Sequence, residues 1–392
     1  MKDNDKLDLL LERFYNRYNN FNTKTLKMLG DTIKQFKGLT PSQAHKLAQE
    51  LKYSKSIKEL AKELAKLTGQ SVDDVFKAFD IIANENVEFA KVYADAKGMK
   101  FTPYSKDSEL QQLTKAIAGQ TSTTFVNLTN TSAIGFTLKD KKGNLIFRNL
   151  QQVYNDVIDE AVLNISTGVQ DYSSAMRGTI KQLADSGVKI HEEKVDYPSG
   201  YNRRIDTSVR QDVMTGVRQL NLDIQKQVGR KYGAGGVEIS AHEPCAEDHL
   251  PIQGRQYSNA EFRNLNNELA RPIGTLNCRH FVFSIVLGVN EPEYTDEQLK
   301  QMEKDSHKKI KYDDKEYTKY EATQVQRSLE TAIRRQKDRQ IIARASGDDD
   351  EVMKAQANIT KLTQKYNDFS QKAGLRTYKN KLVVTGFRKV KV

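Results

Sequence analysis

Between Val209 and Val228 the apolar residues fall at Val209, Val213, Val217, Leu220, Ile224 and Val228, spaced 4, 4, 3, 4 and 4. Only an α-helix returns side chains to one face at that spacing. The stretch therefore predicts a long amphipathic helix, capped at Asp206 or Thr207. The helix ends in a glycine-rich segment, Gly229 to Gly236, a swivel that delivers the chain into a window of different composition. That window, His242 to His280, holds both of the two cysteines and three of the six histidines. With hydrophobic residues at only 38%, the chain favours elongated helical pieces over one large core. The expected fold is mainly α with a small α+β domain. Its parts are an elongated multi-helix region at 1–140, a core at 141–294 with a compact His/Cys module at 237–290, and a basic helical hairpin and tail at 295–392.

Helical periodicity recurs on both sides of the window. Leu7, Leu10, Leu11, Phe14 and Tyr18 form one stripe. Asn22 or Thr23 is placed to cap a second helix carrying Leu26, Leu29, Ile33 and Phe36. Thr40-Pro41 starts a third, running to Leu51. Lys55 to Leu67 repeats the pattern and Gly69 stops it, after which Ser71 to Asp74 offers a capping-box-like restart for a helix through Ala90 and Tyr93. Beyond Gly119 the helix signal weakens, and Thr121 to Phe136 reads as loop or short strands. Lys139 to Asn144 is a turn between hairpin segments at Phe136 and Ile146. Two helices cover 150–185, and Val195 to Arg204 is a polar turn. Phe281 to Leu287 reads as a buried strand. Thr295 caps a helix over 295–309. Tyr317 to about Ala345 and Val352 to Phe369 form an antiparallel helical hairpin, and the last residues look like a frayed or partner-ordered tail.

Sixty-two Lys/Arg stand against 51 Asp/Glu, a formal charge of +11. Residues 301–392 hold 22 Lys/Arg and 13 Asp/Glu, so +9 of that excess lies in the last quarter. Such a balance points to a polyanionic partner, nucleic acid first and an acidic protein surface second. Arg203, Arg204, Arg334, Arg335, Lys337 and Arg339 are the candidate nucleic-acid contacts. The plainer reading of the basic run is a solvated helix face rich in i,i+4 pairs. Two cysteines do not make a secreted disulfide scaffold. The charged N-terminus does not read as a signal peptide, and no eighteen-residue apolar run offers a membrane span. A reducing cytoplasm is the expected site of synthesis and assembly.

Thiolate and imidazole are natural zinc ligands. His242, Cys245 and His249 lie three and four residues apart, within reach of one loop. Cys278 and His280, two apart, share a face of an extended segment. A knuckle plus an extended pair can close a site for one structural zinc, drawn from His242, Cys245, His249, Cys278 and His280. No Cys-x2-Cys pair is present, which departs from the usual finger spacing. A hydrogen-bonded cluster without metal is the alternative, with His242 and His280 donating to Glu247 or Asp248 and the cysteines packed as small apolar groups. A third reading is a metal- or thiol-dependent hydrolase or nuclease centred on Cys245, His249 and His280, with Asp248 orienting the imidazole.

The segment His242-Glu-Pro-Cys245-Ala-Glu-Asp248-His249-Leu-Pro-Ile-Gln-Gly254, with Tyr257-Ser258 and Glu261-Phe262 behind it, resembles phage minor capsid proteins of the minor capsid protein 2 type. So does Arg271-Pro-Ile-Gly274-Thr-Leu-Asn277-Cys278-Arg279-His280 running into Gly288-Val-Asn-Glu-Pro. Val195 to Thr207 and Tyr320 to Arg327 also fit. The resemblance covers roughly 150–380, and the family is similar to the Mu F-like head-morphogenesis proteins. It implies a structural virion protein inside the capsid near the portal vertex, aiding head assembly and DNA packaging or delivery. The implied partners are the portal protein, other capsid proteins and genomic DNA bound without sequence specificity, with no membrane involved in assembly. The family brings no established catalytic set, so no catalytic residue is assigned.

Overall fold

The structure is a computed structural model that describes residues 3–390 apart from 89, 128–130, 141, 170, 195–196 and 276–277. It is mostly helical with small antiparallel sheets, as expected.

Helix α1 spans Asp3–Gln35 without a break. Asn22 and Thr23, expected to cap a second helix, are buried in its middle instead. The Asn22 amide donates to Asp338 at 3.2 Å and its oxygen accepts the Val188 N–H at 2.8 Å, while the Thr23 hydroxyl donates to the Thr385 carbonyl at 2.7 Å. Such residues compete with helical backbone only when their side chains lack other partners; here the tertiary structure supplies them. Helix α2, Pro41–Lys52, starts as expected with a Thr40/Gln43 capping box. Helix α3, Ser56–Glu88, continues through Gly69 and Ser71, where a stop and restart were expected. Leu64, Thr68, Ser71, Val75 and Phe79 keep one buried stripe across that point, and its burial outweighs the roughly 1 kcal/mol that glycine costs a helix. Helices α4, Ala90–Ala96, and α5, Ser108–Asn127, follow. The expected loop or strands after Thr121 are thus helical as far as Asn127. Thr121 and Ser122 are buried, and the Thr114 and Thr123 hydroxyls return hydrogen bonds to carbonyls four residues back.

Strands β1, Ile134–Lys139, and β2, Leu145–Asn149, form the anticipated hairpin, with Asp140 accepting the Lys142 and Asn144 amides in the turn. Helices α6, Leu150–Ser166, and α7, Tyr172–Ser186, match their spacing. Strand β3, Lys189–Lys194, pairs antiparallel with β4, Tyr197–Arg204. The expected polar turn is therefore largely strand, its backbone satisfied by β3; Val195 and Asp196 lie outside the described residues. The sheet order is β2-β1-β3-β4.

Helix α8, Ile205–Tyr232, is the long helix that the spacing predicts, and all six stripe residues are buried. A second sheet, ordered β6-β5-β7, comprises β5, Gly236–Ile239, β6, Gln256–Ser258, and β7, Val282–Ile285, with α9, Asn259–Glu268, between β6 and β7. Its core is Val237, Ile239, Ile252, Ile273 and Val282. Helix α10, Asp296–His307, carries the expected Thr295 cap. A short hairpin, β8, Ile310–Tyr312, and β9, Lys315–Tyr317, was not legible in the sequence. Helices α11, Lys319–Ser346, and α12, Asp349–Lys372, form the expected hairpin.

The elements group into two units. One comprises Met1–Gln70, Phe125–Arg210 and Gln326–Val392; the other comprises Ser71–Thr124 and Gln211–Val325. Helix α1, most of α11 and all of α12 belong to the first unit. The C-terminal tail is docked there rather than frayed. Val384 is buried, the Thr385 N–H donates to Asn19 at 2.8 Å, and Lys337 donates to the Leu382 carbonyl at 2.5 Å.

Candidate functional site

The His/Cys window is built on the pairing of β5 with β7. Ile239 pairs with Val282, and the register continues one step further: the Ser240 N–H donates to the Phe281 carbonyl at 2.9 Å, and the Ser240 hydroxyl accepts the Phe281 N–H at 2.9 Å. The loop leaving β5 and the segment entering β7 therefore run side by side. Their next residues meet as a tilted ring pair, His242 on His280 with centroids 4.2 Å apart.

Residues 246–253 make two successive helical turns, closed by the Leu250 N–H on the Ala246 carbonyl at 3.2 Å and the Gln253 N–H on the His249 carbonyl at 3.0 Å. The second turn presents His249 and Gln253 on one face, four residues apart. Gly254, at φ +68°, then turns the chain back so that its N–H reaches the Ile239 carbonyl at 2.8 Å. A side chain there meets Leu299 at 2.5 Å in a backbone region that favours glycine. From the other side, the Arg271 guanidinium forks onto Asp248 at 2.6 and 3.3 Å, and the Arg271 carbonyl lies 2.7 Å from His249 Nε2.

The result is a tight group of three. Cys278 Sγ lies 3.4 Å from His280 Nδ1 and 3.9 Å from His249 Nδ1, and one ligating atom from each residue falls within 4.8 Å of the other two. His249 and His280 are buried and Cys278 is half-buried. Of the five candidate metal ligands, the fold gathers His249, Cys278 and His280. His242 stands beside them through its stacking on His280. Cys245 is buried and turned away, with its Sγ 3.2 Å from the Ala246 carbonyl. Sequence reasoning did not single out Gln253 or Arg271. Their oxygens hold the two imidazoles, and nothing in a lone Gln or Arg announces such a contact.

Electrostatics sort these groups further. Burial, reinforced by Arg279 and Arg218, lowers the pKa of His242 to about 4. Burial, reinforced by the two neighbouring histidines, lowers that of His280 to about 2. Both rings are neutral at neutral pH. Burial raises the Cys245 thiol to about 12, with Asp248 adding to it. Burial is the largest influence on both Cys278 and His249 and opposes their ionisation, but their mutual hydrogen bond together with backbone hydrogen bonds, from Gly274 and His280 to the thiol and from the imidazole to Arg271, outweighs it, moving Cys278 down and His249 up. A nucleophilic trio of Cys245, His280 and Asp248 is not assembled: the thiol is held protonated, His280 faces Cys278 and Gln253, and Asp248 is held by Arg271.

The candidate nucleic-acid residues lie in the other unit, and most face inward. Arg204 donates to Asp338 at 2.7 Å and lies 3.4 Å from Asp206; Arg334 lies 3.0 Å from the Tyr15 hydroxyl and 3.8 Å from Asp206. Burial opposes the charge on Arg204, but Asp206 and Asp338 more than offset it and raise its pKa. Arg339 pairs with the buried Glu351, and Lys337 also lies 4.9 Å over the Phe387 ring. Arg203 is half-buried, whereas Arg335 is exposed. Arg204 on β4 and Arg334, Lys337 and Arg339 on α11 are thus committed to partners within the unit. The exposed charge lies elsewhere. Lys354, Lys361, Lys365 and Lys372 on α12 are all exposed, and their 7, 4, 7 spacing puts them on one helix face about 27 Å long. The first unit holds 41 Lys/Arg and 25 Asp/Glu, net +16, whereas the second holds 21 and 26, net −5.

Together these features define a mainly α protein of two discontinuous units, one strongly basic and one bearing a small sheet whose loops meet in a His/Cys cluster. A family model for phage minor capsid protein 2 matches residues 3–371, and the chain belongs to that family. It is therefore a structural protein of the phage virion. No curated protein and no solved structure matches it. No helix among the described residues is long and apolar enough to cross a membrane.

Proposed function

We propose that this minor capsid protein sits in the capsid interior near the portal vertex and holds genomic DNA there without reading its sequence. The observation that carries the DNA contact is the segregation of charge. The unit with α1 and the α11–α12 hairpin holds a net +16, and the lysine stripe of α12 is exposed on it. Lysines on one helix face act as point charges towards phosphates, and each phosphate neutralised releases counterions. The portal location and the role in head assembly and DNA packaging or delivery rest on the family resemblance, with the portal and other capsid proteins as partners.

The test is retention of the purified full-length chain on duplex DNA across a salt series. Binding falls linearly in log–log form, with a slope of about −0.9 per phosphate contact. The Lys361→Glu/Lys365→Glu variant flattens that slope by roughly two contacts' worth, about 1.8, with no preference among DNA sequences in either protein. Absence of salt-dependent retention removes the DNA contact from this reading. Failure of the chain to co-purify with its portal protein after co-expression removes the portal location.

A further inference from the structure

The two imidazoles that face Cys278 each have one nitrogen committed as a donor. His249 Nε2 lies 2.7 Å from the Arg271 carbonyl, which can only accept. His280 Nε2 lies 3.1 Å from Gln253 Oε1, and that atom is the amide oxygen because it also accepts the His242 backbone N–H at 3.1 Å. The proton of each neutral ring therefore resides on Nε2. Each ring then turns a bare Nδ1 lone pair towards the same sulfur, at 3.9 Å for His249 and 3.4 Å for His280. A thiol has one proton and satisfies at most one of them. A cation takes both lone pairs and the thiolate together.

From this geometry we infer that His249 Nδ1, Cys278 Sγ and His280 Nδ1 form a binding site for a single zinc ion. Tetrahedral zinc with ordinary Zn–S and Zn–N bonds sets a sulfur and a nitrogen about 3.6 Å apart. The two observed separations, 3.4 and 3.9 Å, bracket that value. The donor set is one soft thiolate and two imidazoles with no carboxylate, which suits zinc and disfavours magnesium or calcium.

The surroundings have the form that metal-binding histidines need, each ring donating its other N–H to a fixed oxygen. The Arg271 carbonyl is held by its own side chain's fork on Asp248, and Gln253 is held by the His242 backbone. His242 Nε2 is buried beside the cluster with no hydrogen-bond partner, which leaves it available as a fourth ligand. Bound this way, zinc ties the loop after β5 to the segment before β7.

The test uses the full-length chain, stripped with chelator and reconstituted with zinc(II) or cobalt(II). About one zinc per chain is expected by elemental analysis, and the cobalt form shows a thiolate-to-cobalt charge-transfer band. Cys278→Ser abolishes that band. Gln253→Leu, which removes the oxygen that accepts from His280 and from the His242 N–H while leaving the three ligands in place, weakens zinc binding by about 10- to 100-fold. Cys245→Ser leaves stoichiometry and affinity unchanged. Zinc also slows alkylation of Cys278 by iodoacetamide in the wild-type chain, a readout independent of how any variant folds. The inference is overturned if the reconstituted wild-type chain holds no zinc, if Cys278→Ser binds it as tightly as wild type, or if Cys245→Ser loses it.

Discussion

Asp338 offers the sharpest test of how the basic unit is held together. It is fully buried on α11 and accepts hydrogen bonds from Arg204 at 2.7 Å and Asn22 at 3.2 Å, thereby joining α11 to the end of β4 and to α1. With Arg204, Arg334 and Asp206 it makes a buried group of two cations and two anions, neutral overall. Asp338→Ala leaves one uncompensated positive charge in that group and strands the Asn22 amide. Removing one partner of a buried ion pair costs about 3–5 kcal/mol. The replacement of both partners by apolar groups is far milder, because neutrality returns. Hydrogen–deuterium exchange followed by mass spectrometry reads the effect locally. The slowest amides of α1 and α11 should exchange at least about 100-fold faster in Asp338→Ala. Arg204→Met/Asp338→Leu should recover at least half of that loss on a logarithmic scale. Exchange within threefold of wild type in Asp338→Ala refutes the assignment of this group as the tie between α1, β4 and α11.

Two further predictions concern the same unit. Arg177 forks onto Asp348, the N-cap of α12, at 2.6 and 2.8 Å. Burial alone raises the Asp348 carboxyl, but Arg177 and the Glu351 N–H overcome it, so its folded pKa lies below the unfolded value. The stabilisation is complete above the unfolded value of about 3.9 and disappears as pH falls through the lower folded value. Thermal melts from pH 7 to pH 2 should show Asp348→Asn, which keeps the cap, with a lower Tm at pH 7 and a shallower acid decline than wild type. Equal acid slopes contradict the pairing. Gly30 of α1 lies so close to α11 that an added Cβ meets the Ile342 carbonyl at 2.7 Å and Ala345 Cβ at 2.6 Å. Gly30→Ala gains about 1 kcal/mol of helix propensity but overpacks against backbone for a cost of about 1–3 kcal/mol. Urea unfolding should show a net loss of stability; a gain means the helices separate freely at this point.

Much of this protein is legible in its sequence. The 4, 4, 3, 4, 4 spacing specified α8, because only a helix buries those six residues together. Capping residues at Thr40 and Thr295 marked helix starts that the structure reproduces. The concentration of Cys and His between 242 and 280, with its Cys-Arg-His block, identified the family. Local chemistry suffices for each of these, since caps, stripes and motifs act within a few residues.

What the sequence alone left open was decided at long range. Asn22 and Thr23 have the composition of a helix cap, yet partners more than 150 residues away hold them mid-helix. The basic run of α11 reads as a polyanion surface, but Arg334, Lys337 and Arg339, like Arg204 on β4, face buried acids, a tyrosine or the docked tail. The exposed lysines of α12 were hidden by their spacing, because one face of a helix is scattered along the chain. Within the His/Cys window, spacing made five ligands equivalent. The β5–β7 register and the helical turns at 246–253 separated them, turning Cys245 aside and directing two bare nitrogens at Cys278. Residue types name the chemistry that a chain can perform, but only the packing of distant segments decides which atoms meet.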